Sequence, residues 1–397
     1  MPVMDIKSSV CRGGRISHHV TRIMDLPWVI MIEILSRLPI KPIFRCRAVC
    51  KIWYSLLTSD PLFFNMHQTR SLNFPNILLL DGQCNPLLLE LKAEYDYYVH
   101  RCNRTVQVTP KFHFHPRSAI LVGSCNGFIC LVGGLTHIEN HSIYINNPLL
   151  GEYFKLELPK WEISVTQVAY GFCFSEVSGE YKVLRLVDRK VHDDTRASEL
   201  EIYTLGVYEK WRNMGEIPCP VWYDFGKANV NGSLHWMDSE KTDSIYSFDV
   251  ETEKIKYLPA PPGLETPSSN LRLAELGNCL CLTDNIHIWN VNINIWCMKE
   301  YGIAESWTKN SILVESIPRG MVNYSFEPIF IWKDGEILFQ SRSKLAWYNP
   351  EIKTFRVVNV DGDVIASTKY TPSFYSLKTV MGDDFQVTNV YSKTEIV

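Results

Sequence analysis

Hydrophobic residues follow a helical period near the start of the chain, between Leu26 and Leu57. At about 100° per residue, the apolar side chains of the first half of this stretch cover an arc of about 200°, whereas a surface helix packs on its own domain with roughly 100°. About 40 residues cannot bury that much apolar surface alone. The excess predicts a second contact, either with the rest of the chain or with another protein. The residues on the arc are Ile30, Met31, Ile32, Ile34, Leu35 and Leu38.

Prolines and capping residues divide this stretch into short helices. An aspartate or proline just before an apolar run marks a helix start, because aspartate caps the free N–H groups and proline fits the first turn. A leucine-proline pair ends the helix that precedes it. The first helix is predicted from Asp25-Leu26-Pro27 to about Arg37, a second begins at Pro42, a third contains Trp53, and a short fourth around residues 62–66 follows Asp60-Pro61.

From about Asn73 onwards, short β-rich runs separated by Gly, Pro, Asn and Asp predict a second, all-β domain. Tight turns recur in it roughly 40 to 60 residues apart, a spacing typical of propeller blades with loop insertions. The repeat favours a propeller of about six blades, with a β-sandwich as the alternative. The turns are anchored at Asn147, Leu205, Asp249, Asn290 and Asn349, and a glycine begins an apolar strand at Gly127, Gly232, Gly277 and Gly335.

Three short motifs stand at fixed separations in the helical stretch: LP at residues 26–27, RLP at 37–39 and VCKIW at 49–53. Together with the residues between them, they resemble the plant-type F-box. Two positions depart from that family's pattern, because Val29 stands where an acidic residue is usual and Cys46 where phenylalanine is usual. The first adds apolar surface and the second removes some. The matching residues between the motifs are Ile34, Leu35, Lys41, Arg45 and Arg47.

The β-rich region resembles the F-box-associated, kelch-like β-propeller domains that follow F-boxes in plants. The two resemblances imply a multi-domain protein with a small all-α three-helix F-box and a large all-β domain. We expect residues 1–23 to be a disordered leader, 24–70 the F-box, and 71–397 a propeller-like domain that binds a substrate.

The F-box resemblance implies that the protein is the substrate-recognition subunit of an SCF-type ubiquitin ligase. The F-box would dock on a Skp-type adaptor, and through it on a cullin–RING ligase, while the β domain holds a target protein. Some of the expected docking residues must instead form the core of the helical bundle. The residues are Leu26, Pro27, Ile30, Ile34, Leu35, Leu38, Pro39, Val49, Cys50, Lys51 and Trp53.

Two aromatic stretches of the β domain are candidates for target binding. Trp222, Tyr223 and Phe225 follow a proline pair between two predicted strands, and Trp307 lies in a loop-like stretch. Exposed loops with several large aromatic rings resemble binding hot spots. The alternative is that these rings fold back onto a blade.

Composition and motifs disfavour several other partners and kinds of site. A net charge of −3 and a pI near 6.4 disfavour nucleic acid and membrane surfaces as main partners. The chain has no run of 18 apolar residues and no secretory signal, so we expect it in the cytoplasm, the nucleus or both, with its 12 cysteines as free thiols. The pair His113 and His115 could share one strand face, but we assign no metal.

Catalytic signatures are missing from the sequence. There is no GxSxG elbow, no P-loop and no GxGxxG, so no cofactor is expected and the protein is interpreted as a non-catalytic receptor. Two alternatives remain open. One is an adaptor-independent protein-binding scaffold with a degenerate F-box, supported by Val29 and Cys46, and the other is a propeller enzyme.

Overall fold

The computed structural model of the protein describes residues 26–71, 76–82, 84–91, 104–107, 119–134, 138–160, 162, 164–190, 196–207, 210–217, 225, 227–237, 243–264, 271–284, 292–321, 326–332, 334–360 and 362–389. Within these residues, four helices come first and a large all-β domain follows. The predicted leader, residues 1–23, lies outside the described residues. The helices are α1 (Trp28–Leu35), α2 (Ile40–Arg47), α3 (Lys51–Ser59) and α4 (Pro61–Ser71).

The helix boundaries differ from the predicted ones in small ways. Helix α1 ends two residues before Arg37, and α2 begins at Ile40, which places Pro42 inside its first turn, where proline is tolerated. Helix α4 extends to Ser71, well past the short fourth helix that was expected. The residue at the N-cap of α1 is Pro27, without a side-chain cap, and Asp25 lies outside the described residues.

The β domain is a six-bladed propeller, as the repeat predicted. Four antiparallel strands form each blade, and a short strand, β25 (Thr388–Asn389), extends the second blade. The ring of blades closes in blade one, where β24 from the C-terminal part of the chain pairs with β1 from the start of the domain. Asn76 is the register partner of Tyr370, although the two are far apart in sequence. The strands of the first two blades are β24 (Val364–Tyr370), β1 (Asn76–Asp81), β2 (Pro86–Glu90) and β3 (Arg104–Gln107), then β4 (Ile120–Cys125), β5 (Phe128–Gly133), β6 (Ser142–Asn147) and β7 (Glu152–Leu156).

The other four blades follow in chain order, each built by four consecutive strands. A fifth helix, α5 (Leu377–Met381), follows the closing strand β24. The strands are β8 (Val165–Phe174), β9 (Tyr181–Lys190), β10 (Arg196–Thr204) and β11 (Arg212–Ile217); β12 (Ala228–Val230), β13 (Ser233–Met237), β14 (Ser244–Asp249) and β15 (Lys254–Pro259); β16 (Leu271–Leu276), β17 (Cys279–Asp284), β18 (Asn292–Met298) and β19 (Trp307–Leu313); and β20 (Phe326–Ile331), β21 (Ile337–Ser341), β22 (Lys344–Asn349) and β23 (Thr354–Val358).

Most of the predicted repeat landmarks fall where a blade requires them. The anchors Asn147, Asp249 and Asn349 end the third strand of their blades, and each of the four glycines precedes a second strand. The anchor Asn290 was wrong. It lies outside the described residues, but β17 and β18 on either side of it are the second and third strands of blade five, so the turn between the third and fourth strands comes after Met298.

Gly127 is required both by its backbone angle and by its surroundings. Gly127 has a φ of +88°, and a Cβ atom there would lie 2.2 Å from the Cβ of Ser373. The carbonyl of Gly127 also accepts a hydrogen bond from the Tyr370 hydroxyl at 3.0 Å. The turn between β4 and β5 therefore holds the segment of residues 371–376 that follows the closing strand.

Among the described residues, the core consists of six clusters of buried apolar side chains, one at each boundary between neighbouring blades. Alternate residues of each middle strand face the preceding and the following blade, so strands such as β5 are buried on both faces. The cluster between blades one and two continues without a break into the helices. Representative residues, in order from that boundary, are Ile129, Phe172, Trp236, Leu282, Phe339 and Trp347.

Candidate functional site

Helix α1 divides its apolar residues between the core and the surface. Its buried side consists of Met31, Ile32 and Leu35, none of which is more than 5% exposed. Ile30 and Ile34 are one turn apart and remain 44% and 39% exposed. The wide apolar arc therefore serves two surfaces, because the rest of the chain covers one part of it and leaves the other part open.

A second group of exposed apolar side chains lies at the junction of α2 and α3. Val49, Ile52 and Tyr54 are each more than half exposed. The Arg47 guanidinium lies over the Tyr54 ring, 5.5 Å from its centroid, and burial lowers the pKa of this arginine. The cation–π contact holds Tyr54 in place at the edge of this surface.

The expected docking residues separate into exposed and buried sets. Leu35 and Trp53 are buried in the core of the helices, so they have no free surface for a partner. Leu26, Leu38 and Cys50 are partly buried against the same core. Trp28, Ile52 and Tyr54 are also exposed apolar side chains, and the sequence did not identify them as docking residues. The expected residues that are exposed are Pro27, Ile30, Ile34, Pro39, Val49 and Lys51.

Two polar contacts fasten α4 alongside α1. At one end, Asp60 accepts hydrogen bonds from the backbone N–H groups of Leu62 and Phe63, as the predicted cap requires, and from Trp28 Nε1 at 2.8 Å. At the other end, Arg70 Nη2 lies 2.6 Å from Glu33 Oε2. Hydrogen bonds from Arg70 and from Arg37, two residues past the end of α1, lower the pKa of Glu33.

An aromatic cluster joins the helices to the propeller. Phe374, which follows the closing strand, is 1% exposed and contacts rings from two helices. The ring centroid of Phe374 lies 5.4 Å from that of Phe44 on α2, and 6.1 Å and 5.4 Å from those of Phe63 and His67 on α4. Tyr375 contacts a further ring of α4. The N-terminal helices are therefore packed against the propeller through residues 374–375.

Buried polar groups hold this joining segment in place. Asn147, at the end of β6, donates hydrogen bonds to the carbonyls of Ser373 and Tyr375 at 3.1 and 2.8 Å. Glu152 accepts hydrogen bonds from Ser376 Oγ and the Leu377 N–H at 2.9 and 2.7 Å. Burial raises the pKa of Glu152, although these hydrogen bonds favour the ionised form.

The axis of the propeller contains a cavity of about 850 Å³, lined by residues of all six inner strands. The inner strands all run in the same direction, and the helices sit at the end where these strands finish, since Gln68 donates a 3.0 Å hydrogen bond to Asn126 just after β4. Lys369 pairs with Glu275 near that end, and Lys227 pairs with Glu327 near the other. The cavity thus carries ion pairs at both ends.

The aromatic residues proposed for target binding are buried where the structure describes them. Phe225 is 3% exposed and packs on Trp236 between blades three and four. Trp307 is 8% exposed, packs between blades four and five, and donates from Nε1 to the carbonyl of Pro259 at 3.0 Å. Both rings fold back onto blades, which was the alternative interpretation. Trp222 and Tyr223 lie outside the described residues.

Two further features are absent from the described residues. No helix there is both long and apolar enough to cross a membrane. No group of three or more His, Cys, Asp or Glu side chains there is arranged to hold a metal ion. The histidines at 113 and 115 lie outside the described residues.

Comparison with known proteins agrees with the two-part architecture. The F-box domain family matches residues 23–65, and the F-box associated beta propeller domain family matches residues 93–383, which is more than half of the chain. The chain belongs to the F-box protein family with this propeller domain. An F-box protein of Arabidopsis thaliana is 30% identical to it, and the alignment covers 84% of this chain and 87% of the relative.

More distant relatives of this F-box protein are also described as F-box proteins. An F-box/kelch-repeat protein of Arabidopsis thaliana is 27% identical over 82% of this chain and 88% of the relative, and the F-box protein CPR1 from the same plant is 25% identical over 90% and 87%. Among solved structures, an exo-beta-1,3-galactanase from Clostridium thermocellum is similar at 10% identity and a TM-score of 0.33, covering 65% of this chain and 67% of that chain. That similarity is too low to bear on chemistry.

Proposed function

We propose that this F-box protein is the substrate-recognition subunit of an SCF-type (Skp–cullin–F-box) ubiquitin ligase. The single observation that carries the proposal is the set of exposed apolar side chains on α1 and α3, which the propeller does not cover. Exposed apolar residues that cluster on a small domain are typical of a protein interface. Membership of the F-box family makes a Skp-type adaptor the partner to expect.

The proposed role needs no catalytic residue in this chain. An adaptor bound to the F-box connects the protein to a cullin–RING ligase, and a target bound to the β domain is held near a charged ubiquitin-conjugating enzyme. Proximity then raises the effective concentration of the target lysine. The packing of Phe374 against α2 and α4 supports this role, because a fixed joint between the two domains restricts where the target is presented.

The proposal also covers the domain bounds, the type of blade, the location in the cell and the end of the propeller that binds the target. We assign the F-box to residues 24–70 and the target-binding domain to 71–397, and we describe the blades as kelch-like. We place the protein in the cytoplasm or nucleus, and we propose no nucleic acid or membrane as a partner. The target binds the end of the propeller remote from the F-box, since the helices cover the near end at blades one and two.

Adaptor binding tests the proposal directly. Replacing Ile30 and Ile34 with glutamate places charges on the exposed side of α1 and leaves its buried side intact. A hot-spot residue at the centre of an interface contributes about 2 kcal/mol or more, so the dissociation constant for a purified Skp-type adaptor should rise at least about 30-fold. The matched control is Ile352→Glu, which makes the same change at a 68% exposed position of the propeller and should leave binding unchanged. Absence of measurable binding by the wild-type protein would refute the proposal.

One observation favours a second candidate, an adaptor-independent scaffold whose F-box caps the β domain. The helices share a continuous hydrophobic cluster with blades one and two, which a capping role also requires. The two functions predict different complexes. Affinity purification followed by mass spectrometry should recover an adaptor and a cullin with the wild-type protein and lose both with the double glutamate variant, whereas a scaffold would retain the same partners in both.

A further inference from the structure

Two cysteines lie directly opposite each other on neighbouring strands of blade five. Cys281 on β17 and Cys297 on β18 are register partners, and the Cys281 thiol donates to the Cys297 sulfur with 2.7 Å between the two sulfurs. Cys281 is fully buried in the cluster between blades five and six, whereas Cys297 is partly exposed at the edge of that cluster. One residue of the pair is thus partly exposed, and its buried partner lies beside it on the neighbouring strand.

The two thiols differ in acidity in the direction that a reactive pair requires. The hydrogen bond from Cys281 lowers the pKa of Cys297, with help from the charge of Lys299, while that hydrogen bond and burial raise the pKa of Cys281. The accessible thiol therefore deprotonates first. Since the thiolate is the form that reacts with oxidants, Cys297 is the site of first attack and Cys281 the resolving thiol.

We propose that Cys281 and Cys297 form a peroxide-reactive dithiol that oxidises to a cross-strand disulfide. The Cys297 thiolate attacks one oxygen of a hydroperoxide, which breaks the O–O bond and gives a sulfenic acid and, after protonation, water or an alcohol. The Cys281 sulfur then attacks the sulfenic sulfur and releases water. In total, two thiols lose two electrons and two protons, and the hydroperoxide is reduced.

Two other described cysteines have thiols that contact backbone carbonyls and no second sulfur. Cys173 is fully buried and donates from its sulfur to the carbonyl of Lys182, and Cys125 donates in the same way to the carbonyl of Phe172. Burial raises the pKa of Cys125 to about 12 and raises that of Cys173 as well. Cys173, which is fully buried, serves as the internal control. Cys279, two residues before Cys281, is the neighbour that a test must exclude as the resolving thiol.

The sequence permits a direct chemical test on the full chain. Trypsin cleaves after Arg272 and after Lys299, with no lysine or arginine between them, and Asp284 is the one aspartate in that interval. Treatment with about one equivalent of hydrogen peroxide, followed by alkylation, trypsin and a protease that cleaves before aspartate, separates Cys281 and Cys297 onto two peptides. Mass spectrometry should then find these peptides linked, lighter by two hydrogens than their sum, and separated by dithiothreitol.

Single cysteine-to-serine variants show which two sulfurs form the disulfide. The linked peptides should persist in Cys279→Ser and disappear in Cys281→Ser and Cys297→Ser, while the fully buried Cys173 stays alkylatable only after unfolding. A link that survives in Cys281→Ser, or a wild-type protein in which Cys297 remains a thiol or becomes a sulfonic acid without any link, would overturn the proposal. A second measurement needs no variant. The thermal unfolding midpoint of the wild-type protein should rise on oxidation, because the disulfide constrains the unfolded chain, and dithiothreitol should return the midpoint to its original value.

Discussion

The joint between the F-box helices and the propeller depends on one side chain more than on any other in the segment that connects them. Phe374 is 1% exposed and touches rings from α2 and α4, so Phe374→Ala should leave a cavity at this joint. A buried Phe→Ala change costs about 3–5 kcal/mol through lost apolar contact and the remaining cavity. That loss lowers the folded-to-unfolded ratio by about two to four powers of ten.

The assay combines overall stability with local protection. Urea unfolding followed by circular dichroism should show the 3–5 kcal/mol loss, and hydrogen exchange read by mass spectrometry should show where the structure opens. Backbone amides of α2 and α4 should lose more protection than those of blades five and six, because the lost contacts hold the helices on the propeller.

Phe326→Ala is the matched control. Phe326 is fully buried between blades five and six and also packs against two other rings, at 5.8 and 6.0 Å. Its removal should cost a similar free energy but expose the amides of β20 and β21 rather than those of the helices. If the two variants lose protection in the same regions, or if Phe374→Ala leaves α2 and α4 as protected as in the wild type, the assigned joint is incorrect.

Two further predictions concern buried charge. Burial lowers the pKa of His67 to about 4, below its ordinary value of 6.5, so the unfolded chain binds more protons between these values and stability falls as the pH drops through that range. Between pH 7 and pH 5 the wild-type protein should lose about 2 kcal/mol that His67→Phe does not lose, as measured by urea unfolding at both values; equal losses would contradict the assignment. Arg185 and Glu201 form an ion pair at 2.6 Å with side chains 5% and 8% exposed. Glu201→Leu should therefore cost about 3–5 kcal/mol by leaving the arginine uncompensated, and adding Arg185→Met should restore most of it, so a double variant no more stable than the single one would refute this account.

Much of the fold was predictable because its signals are local. The capping carboxylate of Asp60 and the glycines before the second strands act on residues within one turn, and both were found where the sequence placed them. The error at Asn290 has the same origin. A polar residue between hydrophobic residues looks the same in a turn after the second strand as in a turn after the third, and the pairing partners that separate the two cases are far away in sequence.

The candidate site was predictable in part for a related reason. The sequence placed Leu35 and Ile34 on one apolar arc, and nothing in the helical period separates them. Their exposure differs because the neighbouring helices and the propeller cover one side of α1 only. Leu35 is 2% exposed and Ile34 is 39% exposed. Trp307 was ambiguous from sequence for the same reason, and the packing of blades four and five places it in the core.

By itself, the sequence determined that this protein has an F-box followed by a β domain of repeated units, because helical periods, caps and turn glycines are interactions among neighbouring residues. The tertiary structure decided which apolar residues remain free, how Tyr370 and Phe374 close the ring and bind the helices, and that Cys281 faces Cys297. Those contacts join residues distant in sequence, so they exist only once the blades have paired in register.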